Sequence, residues 1–173
     1  AFLLTFREKN KRNLLFLGFV HSAGFTDDKE KYYNYEVKSI SADDFNHFWP
    51  DTRTRIDLPE GQKNYSVKLP FEITFYSHPV KELFIFPEGF VSVSDTRDHD
   101  SRYIAPLPIA FECHHSDTSS LSYWLADKNQ SVSVQWENCI PKNIPMKAPF
   151  TFRLKVWRKG LIEFTYKKLG ISI

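Results

Sequence analysis

Apolar and polar positions alternate with a period of two over much of this chain, most cleanly in its last third. In residues 131–137, Val132, Val134 and Trp136 share one face while Ser133, Gln135 and Glu137 share the other. Residues 150–157 repeat the pattern, with Phe150, Phe152, Leu154 and Val156 set against Thr151, Arg153 and Lys155. Arg158-Lys159-Gly160 then turns the chain into residues 161–167, where Ile162, Phe164 and Tyr166 lie on one side. Residues 121–126 form a further strand, joined to the 131–137 strand by the turn Asp127-Lys128-Asn129-Gln130. Successive side chains of a strand point to opposite faces, so period two with turn signals every ~8–12 residues predicts antiparallel strands that bury one face. Helical periodicity is nearly absent.

The densest apolar run is LPFEITFYSHPVKELFIFPEGF, residues 69–90. It reads as two strands joined by the polar hinge Tyr76-Ser77-His78-Pro79 and closed by a turn at Pro87-Glu88-Gly89, with Phe75 and Phe84 expected in the core. Residues 90–94 alternate again. Residues 103–111 are apolar but carry Pro106 and Pro108, which cannot donate to a ladder, so a bent, partly edge segment crossing the sandwich is expected. Near the start, the apolar runs 1–6 and 14–20 flank a basic segment and suggest a hairpin. The other reading is a leader remnant, with Lys9, Lys11 and Arg12 before an apolar stretch and Ser22-Ala23 as the exit. Residues 32–37 form an aromatic strand, residues 41–49 a short capped turn, and residues 50–63 a loop. The fold expected is an all-β antiparallel sandwich, or a flattened barrel, with little helix, forming one domain over residues 1–173.

Composition supports strands: 16 Phe, 8 Tyr and 4 Trp stand against a single Met in 173 residues, and aromatic side chains fit a pleated, half-buried surface. A net charge of +2 gives no electrostatic footprint for nucleic acid or an anionic membrane. No apolar run approaches the ~20 residues that span a bilayer. The two cysteines, Cys113 and Cys139, would be reduced core residues in a cytosolic protein and a disulfide in a secreted one. Asn64-Tyr65-Ser66 and Asn129-Gln130-Ser131 both fit the N-glycosylation sequon, each where a loop meets a strand.

Candidate chemistry is sparse. Asp95, Asp98, His99 and Asp100 could offer oxygen ligands to calcium, but without EF-hand spacing or a turn glycine, and a solvated loop is the alternative. Cys113-His114-His115 with Cys139 supplies zinc-type ligands, yet neighbours on an extended strand point to opposite faces and do not converge. There is no G-x-S-x-G elbow, no phosphate-binding loop and no dinucleotide glycine pattern. No catalytic residue, metal ligand or cofactor is therefore assigned, and no enzymatic role is expected. Lys155, Arg158, Lys159, Lys167 and Lys168 make the C-terminal hairpin basic. Trp157, on the face opposite Val156, with Arg158 and Lys159, is the candidate ligand-binding group.

Four blocks are recognisable together: residues 69–95 (LPFEITFYSHPVKELFIFPEGFVSVSD), 103–107 (YIAPL), 129–136 (NQSVSVQW) and 150–169 (FTFRLKVWRKGLIEFTYKKL). In order and spacing they resemble the extracellular domain of the plexin domain-containing proteins, the tumour endothelial marker type of receptor, and more distantly the NIDO module of nidogen-type matrix proteins. The resemblance spans about residues 28–169 and leaves residues 1–25, an arm or hairpin, without a counterpart. Ser77 stands where the family has a glycine, and Cys113 and Cys139 have no family counterpart. The resemblance implies an extracellular ligand-binding domain from a single-pass plasma-membrane receptor. By that likeness its ligand would be a matrix protein such as nidogen or a secreted serpin-type factor. It also implies a secretory route, on which Cys113–Cys139 becomes a disulfide and Asn64 and Asn129 carry glycan. A self-associating adhesion domain and a carbohydrate-binding sandwich are the alternatives.

Overall fold

The computed structural model describes residues 2–8, 33–39, 53–57, 62–75, 78–94, 103–107, 109–113, 118–143 and 148–168. The described residues form twelve strands and no helix. They are β1 (Phe2–Glu8), β2 (Tyr33–Ser39), β3 (Thr54–Arg55), β4 (Tyr65–Phe75), β5 (His78–Phe86), β6 (Phe90–Ser92), β7 (Tyr103–Ile104), β8 (Phe111–Glu112), β9 (Ser120–Ala126), β10 (Ser131–Pro141), β11 (Phe150–Trp157) and β12 (Leu161–Lys168). Eight lie in one antiparallel sheet, in the order β2-β1-β12-β11-β10-β9-β3 with β8 on the far end of β10. The other four form a second antiparallel sheet, β4-β5-β6-β7. The fold is an all-β sandwich, as the alternation predicts.

A single buried cluster joins the two sheets. Val67, Leu69, Phe71 and Ile73 of β4, with Leu83 and Ile85 of β5, meet Val132, Val134 and Trp136 of β10, Phe150, Phe152 and Leu154 of β11, and Ile162 and Phe164 of β12. Trp136 is the keystone. It is fully buried, stacks on Phe152 with ring centres 5.2 Å apart, and donates its indole N–H to the Phe86 carbonyl at 2.8 Å. That bond ties the centre of the large sheet to the end of β5 and satisfies the buried Trp136 indole donor. A second tie is Tyr166, whose hydroxyl donates to the Pro106 carbonyl at 2.7 Å; burial pushes this phenol well above its ordinary range.

Two chain features are set by backbone demands. Gly89 closes the β5–β6 turn at φ +99°, and a Cβ there would lie 2.8 Å from Cδ2 of Phe111 and 3.3 Å from Cζ of Phe152. Only glycine has both the conformation and the space. In β4 the register shifts between Lys68 and Ile73 opposite Glu82 and Val80. Pro70 falls in that irregular stretch, where a missing N–H breaks no ladder bond.

The proline-bearing segment crosses the sandwich as expected. It starts as β7 at the edge of the small sheet and ends as β8 on the large one. Other expectations need amendment. β1 pairs with β12 on one side and β2 on the other, so the first residues form a strand within the large sheet. Their expected hairpin partner, residues 14–20, and the capped turn at 41–49 lie outside the described residues. Phe84 is only half-buried and faces away from the core, because its neighbours Leu83 and Ile85 hold the inward positions. The Phe75 side chain lies outside the described set.

Candidate functional site

The large sheet ends, on one side, in two turns that lie against each other. Ser131 pairs with Trp157 across β10 and β11, which sets the β9–β10 turn beside the β11–β12 turn. The first turn places three consecutive residues in the left-handed region: Asp127, Lys128 and Asn129, at φ 53°, 56° and 62°. Asn and Asp tolerate that region better than most residues, which fits this composition. Gln130 closes it, donating its backbone N–H to the carbonyls of Ala126 at 3.1 Å and Asp127 at 3.2 Å. The second turn uses Gly160 at φ +78°, its N–H on the Trp157 carbonyl at 2.9 Å. Arg158 N–H donates to the Gln130 carbonyl at 2.8 Å and clips the turns together.

The tip exposes Lys128, Asn129, Gln130, Arg158 and Lys159. The sequon Asn129 and the predicted binding residues Arg158 and Lys159 are therefore neighbours. Trp157 sits below them on the outer face of the large sheet, half-buried, with Nζ of Lys155 4.0 Å over its ring. Lys128 was not foreseen as part of this group. Nothing in its local sequence marks it, since its place depends on which strands pair.

The same outer face continues along β9 to β12 as a ladder of side chains that point away from the core yet are buried. Cross-strand rows are Trp124, Ser133 and Lys155, then Ser122, Gln135 and Arg153. Ser131, Ser133, Gln135 and Thr165 are fully buried and Arg153 is 3% exposed. Arg153 donates from Nη2 to Thr165 Oγ1 at 3.1 Å and stands 6.0 Å from the Trp124 ring centre. Burial pulls its guanidinium down to about 10, against the opposing pull of Glu163 and Asp127. Lys155 reaches Asp127 at 2.8 Å, and Ser131 donates to the same carboxylate at 2.6 Å. Burial pushes the Asp127 carboxyl up, but these hydrogen bonds and the charges of Lys155 and Arg153 outweigh it and leave the group below its ordinary range. Further along, Glu137 Oε2 accepts from Arg53, Ser120 and Gln135 at 3.1, 3.2 and 3.1 Å.

Cys113 and Cys139 form a disulfide, their Cα atoms 4.5 Å apart. A bulge makes this possible. Trp136 pairs with Phe152 and Cys139 with Phe150, so β10 spends three steps where β11 spends two. Asn138 takes the extra step at φ 51°, with its N–H on Thr151 Oγ1 at 3.0 Å and its amide on the Thr118 carbonyl at 2.9 Å. Without the added residue Cys139 would face outward, because side chains alternate. Both sulfurs are thus committed to each other, and neither is a thiolate for zinc.

Asn64, the other sequon residue, is half-buried just before β4. The Asp95, Asp98, His99 and Asp100 loop, His114 and His115 lie outside the described residues, and among the described residues no cluster of three or more metal-type ligands forms. No protein-family model and no solved structure matches the chain.

Proposed function

We propose that this chain is an extracellular recognition domain of a single-pass cell-surface receptor, binding a secreted or matrix protein at the double-turn tip. Catalysis plays no part in this reading. The observation that carries it is the tip itself: Lys128, Arg158 and Lys159 are exposed on two adjoining turns held rigid by the clip from Arg158 to Gln130. Loops fixed on a stiff sandwich are where β-rich domains commonly place binding groups. Three cations on one small surface, with Asp127 already engaged by Lys155, favour a partner presenting an acidic patch. The disulfide is compatible with an oxidising, extracellular setting.

The family resemblance supplies the receptor context and two candidate ligands, nidogen-type matrix proteins and serpin-type secreted factors. A soluble form of the domain, screened for binding against secreted and matrix proteins, tests the reading. At least one protein is expected to bind, with an association rate that falls as salt rises. Failure of all of them would remove the proposal. Glycan attached at Asn129 would stand on the tip itself, so the Asn129→Gln variant is expected to bind at least as well as the parent made in a glycosylating host.

A further inference from the structure

The fold splits the sequon at the tip. Asn129 is exposed, but Ser131, whose hydroxyl completes the acceptor, is fully buried and donates to Asp127 at 2.6 Å. Gln130, between them, has both backbone groups engaged: its N–H on the carbonyls of Ala126 and Asp127, its carbonyl under the N–H of Arg158. Ser131 is paired with Ala126 on one side and with Trp157 on the other. A glycosylating enzyme reads the hydroxyl residue together with the asparagine, and the closed hairpin presents only one of the two. The other sequon is unlike this, because Ser66 lies exposed with its hydroxyl on Glu82 at the surface. Resting on the reading of the tip as the binding surface of a secreted protein, we infer that Asn129 is a folding-timed modification site. Glycan is added there only before β10 pairs with β11, and it then covers Lys128, Arg158 and Lys159.

Closure waits for residues made later. An isolated two-stranded hairpin is marginal in water, and the clip on Gln130 comes from Arg158, beyond β11. At ~5–20 residues per second of synthesis, residues 130–168 follow Asn129 within about 2–8 s. The Cys113–Cys139 bond encloses Asn129, and disulfides form over seconds to hours. Transfer and closure therefore compete, and the product divides into an open-tip and a covered-tip form. Transfer joins Nδ2 of Asn129 to the anomeric carbon of a sugar carried on a lipid pyrophosphate. The bond from that carbon to the pyrophosphate breaks, the pyrophosphate leaves, and the amide gives up one proton. The folded domain tolerates the product, since the hydrogen bonds that close the turn come from Gln130, Ser131 and Arg158 and not from the Asn129 side chain. A glycan is bulky, and at this position it stands beside Lys128 and the adjoining turn of Arg158 and Lys159, holding an acidic protein surface away from them.

Expression in glycosylating cells, with the occupancy of Asn64 and Asn129 read by mass spectrometry, tests the timing. Asn129 is expected to be filled only in part, and below Asn64. A pulse of dithiothreitol during synthesis delays the disulfide and should raise occupancy at Asn129 while leaving Asn64 unchanged. The covering is tested by adding a poly-glutamate peptide to the mixed glycoforms and reading the peptide bound to each by native mass spectrometry. The form glycosylated at Asn129 is expected to bind about tenfold or more weakly. Asn129 filled as fully as Asn64 without dithiothreitol, occupancy that ignores the reductant, or equal binding by the two forms would overturn the inference alone. Poly-glutamate that ignores both forms would remove the tip as a site for acidic partners as well. Glycan at neither sequon would remove the secretory reading with it.

Discussion

Removing the Cys113–Cys139 disulfide is the perturbation whose size can be worked most fully. The bond joins residues 26 positions apart. Chain-entropy bookkeeping for a loop of that size gives an entropy change of about −12 cal/mol/K, or about 3.5 kcal/mol at 25 °C. Both sulfurs are buried, Cys113 1% and Cys139 0% exposed. Replacing both by alanine removes two methylene-sized groups from the core, at roughly 1 kcal/mol each. The double variant Cys113→Ala/Cys139→Ala is therefore expected to lose about 5–6 kcal/mol. A domain of this size shifts by ~2–4 °C per kcal/mol, so its midpoint should fall by at least about 10 °C. Thermal and urea unfolding, followed by circular dichroism, measure the loss. A parent chain refolded under reducing conditions keeps its sulfur volume and isolates the cross-link part. A midpoint within about 3 °C of the parent would refute the reasoning, since it would leave under ~1.5 kcal/mol for bond and packing together.

Other substitutions test the core, the turn and the tip. Leu83→Ala should cost ~2–5 kcal/mol by urea unfolding and more than Phe84→Ala, because Leu83 is 2% exposed in the core while Phe84 faces outward; the opposite ranking would reverse the assigned face of β5. Gly89→Ala should lose about 2–4 kcal/mol through left-handed strain and overpacking on Phe111, and a loss below ~1 kcal/mol would contradict that placement. Asp127→Asn probes the Lys155 ion pair. The folded carboxyl titrates below its ordinary range, so the unfolded chain takes up the proton first as pH falls. Its stabilising share is complete above about pH 5 and is lost through pH 4 and lower. The variant should be less stable by up to ~1 kcal/mol near neutrality, with the difference vanishing in acid. A difference that stays constant or grows in acid would exclude this role.

Much of the architecture was legible because strands bury one face. Val132, Val134 and Trp136, and Phe150, Phe152 and Leu154, announce their inward side through simple alternation, and the turns at 127–130 and 158–160 carry turn residues. β5 was harder. Leu-Phe-Ile-Phe is apolar on both faces, so alternation cannot choose between Leu83 with Ile85 and Phe84 with Phe86. Sheet order is not local information either. Nothing in residues 2–8 signals that they pair with β12 at the other end of the chain. The bulge at Asn138 was invisible for a related reason, since its effect is to return Cys139 to the core and is meaningful only against the β11 register. The outer face misleads in the opposite sense. Ser133, Gln135, Thr151 and Thr165 read as solvent-facing by type, yet all four are buried. The tip was legible in its residues and not in its assembly: Trp157, Arg158, Lys159 and Asn129 could each be picked out, while their adjacency follows from the pairing of β10 with β11.

The central claim is that the double-turn tip recognises an extracellular protein. Its most direct test is the affinity of a partner captured by the soluble domain, compared between the parent and the Arg158→Ala/Lys159→Ala variant, both with unchanged unfolding midpoints. These exposed side chains make no contact the fold depends on, so stability should be retained. A loss of affinity of about tenfold or more, carried largely by a slower association rate, is the expected result. Equal affinity of parent and variant, or the absence of any secreted or matrix protein that binds, would contradict it.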